Sequence, residues 1–172
     1  SEINWHIRKQ ETIDEFVEIR RNPNHLEWAY FDVSRIHFSA DINAVVEQSD
    51  LLVLAIPSPY LKQSLNDITV DMSQKMVISA VKGMIPDENL LVTEYLHKYF
   101  NVPNENLGVI AGPCHAEEIA LERLSYLTVG CENMDKAREW SKLFDTPYVR
   151  TTPSNDIEGL EYASVMKNIY AI

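Results

Sequence analysis

The chain has 172 residues, 45% hydrophobic and 24% charged, with a formal net charge of −11. That length and balance suit a globular protein with a core of its own. So acidic a chain repels phosphate backbones, which argues against nucleic acid as a partner and leaves any small anion to a few well-placed cations or backbone amides.

Short apolar runs alternate with amphipathic stretches from the start. Residues 3–7 read as a strand. Thr12-Ile13-Asp14-Glu15 has the form of a capping box and opens a helix to about Arg20, which Asn22-Pro23-Asn24 breaks. Residues 35–39 read as a strand and 42–48 as a helix. The apolar run Leu51-Leu52-Val53-Leu54-Ala55-Ile56 ends at Pro57-Ser58-Pro59, as a strand buried on both faces would. Residues 75–80 form another such strand. A helix over 88–100, with Asp87 as its cap, leads to a strand over 107–111 that ends at Gly112-Pro113. Residues 116–121 are helical, 126–130 extended, 135–144 helical and 148–151 extended. A final helix begins at Asp156 and runs to Ile172. Strands alternating with helices predict an α/β fold with a doubly wound, mostly parallel sheet. A domain boundary is expected near Pro153.

Two cysteines, Cys114 and Cys131, form no CxxC and no zinc-type spacing with a histidine. Neither a disulfide framework nor a metal site is expected, and a reducing compartment is the simpler reading. No apolar run approaches the ~18 residues of a membrane span, and the opening Ser1-Glu2-Ile3-Asn4-Trp5 lacks the form of a signal peptide. The expected location is cytoplasmic.

Doubly wound sheets bind ligands beyond the carboxyl ends of their strands. Three loops qualify: Pro57-Ser58-Pro59, Lys82-Gly83 and Gly112-Pro113-Cys114-His115. Lys82 there either points an ammonium at a ligand or is a turn lysine in water, and Gly83 lets the backbone turn or approach a ligand closely. Free amides ahead of Ala116 suit a phosphate or carboxylate. Cys114 as a nucleophile with His115 as its base is disfavoured, because adjacent residues in a turn seldom align; a small buried thiol is the better reading. Lys167 lies in a helix apolar over most of its circumference, which implies burial on several sides. It is either a desolvated lysine with a lowered pKa or one that snorkels to water. Asn168 beside it can hydrogen-bond a substrate oxygen.

Three segments, in order and spacing, resemble the bacterial-type NAD(P)-dependent glycerol-3-phosphate dehydrogenases. They are Val81-Lys82-Gly83-Met84, Ala111-Gly112-Pro113-Cys114-His115-Ala116-Glu117-Glu118, and Asp156-Ile157-Glu158-Gly159-Leu160-Glu161 running into Lys167-Asn168-Ile169-Tyr170-Ala171-Ile172. Asn22-Pro23-Asn24-His25-Leu26 and Ala55-Ile56-Pro57-Ser58 fit weaker patterns. The resemblance implies reduction of dihydroxyacetone phosphate to sn-glycerol 3-phosphate with NAD or NADP, feeding glycerophospholipid synthesis. It implies that Lys167 is catalytic and that Lys82 contacts both substrate and cofactor. It also implies that Gly112, Cys114 and Asn168 meet the substrate and that Arg8, His25 and Ala116 meet the cofactor.

Departures accompany the match. Cys114 stands where the family usually has serine or threonine, and Ala163-Ser164 where paired glycines are common. The five glycines form no GxGxxG fingerprint. In the family that fingerprint precedes the strand that starts here at Ile3, and a helical substrate domain follows. The resemblance therefore implies a Rossmann-like sheet over 1–152 without its first βα unit, then the first helix of an all-α domain over 153–172. On that reading the polypeptide alone binds NADH poorly and is inactive, and unpaired strand edges are expected. The expected partner is a small phosphorylated substrate, with a homodimer as an open assembly. Two other readings stand beside it: another lysine-dependent dehydrogenase of the ketopantoate or opine type, and a non-catalytic fragment.

Overall fold

Four aromatic rings organise the first of two compact units, residues Ser1–Asp50 with Asp67–Val70. The computed structural model describes residues 2–170, and the side chains of residues 168–170, the expected substrate contact Asn168 among them, lie outside that description. Strands β1 (Ile3–His6) and β2 (Ile36–Ser39) pair in parallel, Ile3 opposite Ile36 and His6 opposite Ser39. Helix α1 (Gln10–Ile19) turns Ile13 and Phe16 inward. Phe16 is fully buried, with ring centroids of Phe38, Phe31 and Trp5 at 4.9, 5.2 and 5.5 Å. The expected capping box does not open α1. The helix starts one turn earlier, at an N-cap Lys9 that makes no side-chain cap bond, so Thr12 is inside it. Left-handed Arg20 ends the helix. Helix α2 (Ile42–Glu47) is capped by Asp41, which accepts from the Asn43 amide. The Asn43 carboxamide donates to the Asp67 carbonyl at 3.0 Å and accepts from the Thr69 amide at 2.7 Å, tying residues 67–70 to this unit.

The second unit, Leu51–Asn66 with Asp71–Ile172, holds a five-stranded sheet. Its strands are β3 (Leu51–Leu54), β4 (Met76–Ser79), β5 (Leu107–Ala111), β6 (Ser125–Cys131) and β7 (Val149–Ser154), in that spatial order. β3, β4 and β5 run parallel, β6 is antiparallel to β5, and β7 is parallel to β6. Its helices are α3 (Ser58–Asn66), α4 (Val92–Phe100), α5 (Ala116–Ala120), α6 (Met134–Phe144) and α7 (Ile157–Tyr170).

Residue size decides which helix covers which face. Ile78, Val129 and Cys131 pack with Ala137 and Trp140 of α6. Gly108, paired with Cys131, leaves room for the Trp140 ring, to which an added Cβ would come within 2.5 Å. The next residue of β6, Gly130, points to the other face, where an added Cβ would meet Leu160 Cδ1 of α7 at 2.6 Å. Helices thus cover both faces of a mostly parallel sheet, as the sequence pattern predicts.

Several local expectations change. Pro57-Ser58-Pro59 is not only a loop: Ser58 opens α3, because proline is tolerated in a first helical turn. β3 is not buried on both faces, since Val53 is 46% exposed on an edge strand. Asp87 does not cap a helix. It sits in a turn at φ 69°, and α4 begins only at Val92. Pro153 lies inside β7, opposite Val129. Among the described residues β1 pairs only with β2 and β3 only with β4, so each sheet ends on a parallel strand with an open edge.

Candidate functional site

In the second unit the loops that follow β3, β4 and β5 come together. Gly83, at φ +139°, approaches Ser58 so closely that a Cβ would stand 2.5 Å from Ser58 Oγ. That joins the β3–α3 and β4–α4 turns. Lys82 is exposed and near enough to Cys114 for its charge to favour the thiolate. β4 and β5 are parallel neighbours, so the β4–α4 and β5–α5 turns leave the same end of the sheet. Gly112, at φ +154°, presses its backbone against β6: a Cβ would lie 2.5 Å from the Tyr126 carbonyl oxygen and 3.1 Å from Leu127 Cα. The Cys114 amide then donates back to the Gly112 carbonyl at 3.0 Å, closing the turn over Pro113. Lys82, Gly83, Gly112 and Cys114 are thus gathered as the strand-end rule predicts.

The Cys114 thiol is half-buried, with the Ser125 hydroxyl and the Lys82 charge as the influences that favour its thiolate. Burial pushes its pKa above the ordinary thiol value, and these two influences only partly offset this. Such a thiol is a hydrogen-bonding group, not a nucleophile. His115 is the exposed N-cap of α5. Ala116, the expected cofactor contact, is the exposed first residue of the same short helix.

The loop that carries Lys82 is braced from outside. Lys62 of α3 bonds Glu88 at 2.7 Å, and the Tyr99 hydroxyl of α4 donates to the other oxygen of Glu88 at 2.9 Å. Ile85 and Leu90 form an isolated bridge across the intervening turn. Sequence reading placed Glu88 in a helix and missed this brace, since its partners lie 26 and 11 residues away.

Lys167 is exposed in the last turn of α7. Over residues 157–167, whose side chains are described, the expectation that this helix is buried on several sides is not met. Ile157 and Glu161 are buried, whereas Tyr162, Ala163 and Lys167 face outward. Glu161 is 4% exposed and accepts bonds from the Val92 and Thr93 amides at 3.1 and 3.3 Å and from the Thr93 hydroxyl. Burial outweighs these donors and raises its pKa above the usual carboxylate range. The sequence marks Glu161 as an oddity, a charge in an apolar helix, but not its partner.

In the first unit, Arg8 and Lys9 are exposed at the start of α1. Cations at an uncapped helix N-terminus oppose the helix dipole, and a bound anion relieves the conflict. The donor set there fits a phosphorylated ligand, as a dinucleotide is. His25 is exposed on a turn held by Asn22, whose Oδ1 accepts the Asn24 and His25 amides at 2.9 and 3.1 Å. Beside it Arg21 lies 4.2 Å over the Tyr30 ring and lines an open groove with Glu15, Ile19, Pro23, Glu27 and Tyr30. Among the described residues no group of His, Cys, Asp and Glu could hold a metal ion, and no helix is long and apolar enough to cross a membrane.

Comparison with known proteins bears on both units. Residues 1–137 match the family described as the NAD-dependent glycerol-3-phosphate dehydrogenase N-terminus. The glycerol-3-phosphate dehydrogenase (NAD(P)+) of Oceanobacillus iheyensis is 30% identical over 174 residues, covering 98% of this chain and 48% of the relative. That of Staphylococcus epidermidis is 30% identical over 164 residues, covering 94% and 49%. The glycerol-3-phosphate dehydrogenase structure from Plasmodium falciparum superposes with a TM-score of 0.86 at 27% identity, over 98% of this chain and 48% of that one. The chain spans about half the length of the curated relatives it matches.

Proposed function

Because the chain belongs to the NAD-dependent glycerol-3-phosphate dehydrogenase family, matching its N-terminal part, we propose that it is a segment of an oxidoreductase interconverting dihydroxyacetone phosphate and sn-glycerol 3-phosphate. The observation that carries this reading is the gathering of Lys82, Gly83, Gly112 and Cys114 at the strand ends. Residues 1–152 are read as the dinucleotide-binding part and 153–172 as the start of the helical substrate domain. NAD or NADP is the cofactor, with Arg8, His25, Lys82 and Ala116 as the residues that hold it.

The nicotinamide, when bound, supplies the hydride that reduces the ketone carbon. The chain's own residues handle the rest. Lys82 supplies positive charge for the phosphorylated substrate in a chain of net charge −11. Gly112 admits the substrate close to the backbone, since no side chain stands in the way. Cys114 and Asn168 hydrogen-bond its oxygens. Lys167, as an ammonium, stabilises the charge that builds on the carbonyl oxygen and then protonates it to the alcohol. The reverse reaction begins with Lys167 accepting that proton. The protein acts in the cytoplasm on a small phosphorylated substrate, not on nucleic acid, and a homodimer is the assembly that light scattering tests.

The test is NAD(P)H oxidation by the protein expressed from its native reading frame, with dihydroxyacetone phosphate and with ketopantoate. Turnover of the first alone is expected. Lys167→Ala is expected to lower kcat by about 100-fold or more, the usual worth of a positioned general acid. Activity within about threefold of wild type would remove Lys167 from the mechanism.

A further inference from the structure

Helix α4 starts at a position that cannot cap it. Its N-cap residue is Leu91, which has no side-chain acceptor, so the first amides of the helix lack a local partner. Glu94 turns back to accept the Leu91 amide at 2.8 Å. The Val92 and Thr93 amides are served by Glu161, 69 and 68 residues further on. Both backbone bonds go to Oε1 of Glu161, and the Thr93 hydroxyl donates to Oε2. Val92 is fully buried, Thr93 is 8% exposed and Glu161 is 4% exposed, so water does not substitute for the carboxylate.

The same residue stands next to the point where α7 touches the sheet. Leu160 packs over Gly130, which is close enough that an added Cβ would meet Leu160 Cδ1 at 2.6 Å. Asp156 Oδ1 accepts the Gly159 amide at 2.9 Å and caps the start of α7. α7 therefore has a sheet contact at 160 and a directional, three-bond contact to a neighbouring helix at 161. Apolar packing alone tolerates rotation about the helix axis, whereas three hydrogen bonds to fixed donors do not. Lys167 lies six residues beyond Glu161, about 9 Å along the axis at ~1.5 Å per residue. A rotation error at 161 is carried directly to it.

We propose that Glu161 is a positioning residue: by capping α4 with its buried carboxylate it fixes the rotation of α7 and hence the place of Lys167. This rests on the reading of Lys167 as the proton donor. The neighbouring residues leave no substitute acceptor. Glu94 is committed to Leu91, and Glu158, on the same helix, is exposed. Ser164, the next polar residue toward Lys167, bonds back to the Leu160 carbonyl at 2.9 Å.

Amide hydrogen exchange on the chain tests the clamp without any assay of activity. Glu161→Ala is expected to speed exchange about tenfold or more at Val92, Thr93 and residues 160–167, while Val77 and Ile78 of β4 stay within about threefold of wild type. Glu161→Gln keeps an oxygen for the two amides and is expected to restore protection. If Glu161→Ala does not fold, Glu161→Asp, which keeps the charge but shortens the reach, takes its place. In the protein from the native reading frame, the disrupting variant is expected to lower kcat about tenfold with KM within about twofold, and Glu161→Gln to recover it. Three results overturn the inference: unchanged exchange at Val92 and Thr93, a loss of protection shared equally by β4, or raised exchange with unchanged kcat. Full activity in Lys167→Ala sinks the proton-donor reading instead, and leaves the exchange pattern to report on the clamp by itself.

Discussion

Gly112→Ala isolates the backbone contact on which the gathered loops depend. At φ +154° the alanine would occupy a region essentially reserved for glycine, at a cost of about 1–3 kcal/mol. Its Cβ would also stand 2.5 Å from the Tyr126 carbonyl oxygen and 3.1 Å from Leu127 Cα. Both are backbone atoms of β6, paired there with Arg150 and Thr151 of β7, so neither can swing away freely. Overpacking of that kind adds about 1–3 kcal/mol. The smaller entropy of an unfolded alanine returns only about 0.4–1 kcal/mol. The net expectation is a loss of about 3 kcal/mol, which for a chain of this size lowers Tm by roughly 6–12 °C. Urea unfolding should show a lower midpoint with an unchanged slope. Gly159→Ala is the contrast. There the Cβ would meet the Asp156 carboxylate, the free end of a side chain, and alanine gains about 1 kcal/mol in a helix, which offsets a weakened cap. A Gly112→Ala loss below about 1 kcal/mol would refute the close-approach argument.

Two further outcomes follow from the cores and the thiols. Phe16→Ala should cost about 3–5 kcal/mol, because a fully buried ring with three aromatic neighbours is removed; exchange should rise over residues 3–46 and stay low in β4 and β5, and equal loss in both units would contradict their separate cores. Alkylation should modify Cys114 with a midpoint above pH 9.0, since burial raises its pKa, and spare Cys131, which is fully buried. The sign is that of a group whose folded pKa lies above its unfolded one. The neutral thiol is favoured in the fold, and its stabilising contribution is complete below the unfolded value and lost as pH rises through the folded one. Mass-spectrometric labelling against pH decides, and a Cys114 midpoint below the free-thiol value rules the burial argument out.

What the sequence discloses of this molecule follows from how local each signal is. The strands at 51, 76 and 107 are legible because each is a short apolar run, and the turns after them carry glycine or proline. Lys82, Gly112 and Cys114 could therefore be placed at strand ends before any contact was known. α3 was hidden, since Pro57-Ser58-Pro59 reads as a break and the helix is mostly polar. The burial of α7 was overestimated because apolarity shows that a face wants cover, not that the described residues supply it. Glu88 and Glu161 are opaque for another reason: carboxylates whose partners lie 26 and 11 residues away, or 69 and 68, leave no periodicity to detect.

That distinction bears on how the site is built. The residues gathered at the strand ends are held by backbone shape, with Gly83 against Ser58 and Gly112 against β6. Such contacts have no adjustable part, which suits groups that must meet a substrate at one distance. Lys167 is held differently. It is exposed, on a helix whose outer face carries Tyr162 and Ala163 in the open, and its fixed reference among the described residues is the Glu161 clamp at α4. α4 in turn follows the loop that starts at Lys82-Gly83 and is braced by Lys62, Glu88 and Tyr99. Lys82 and Lys167 are therefore referred to the same helix, one through the brace at its outer side and one through the cap at its N-terminus. Loss of the Glu161 cap frees the helix that carries Lys167 and leaves the brace beside Lys82 in place. On the proposed reading, in which Lys167 donates the proton and Lys82 attracts the phosphate, proton transfer should thus suffer before phosphate binding.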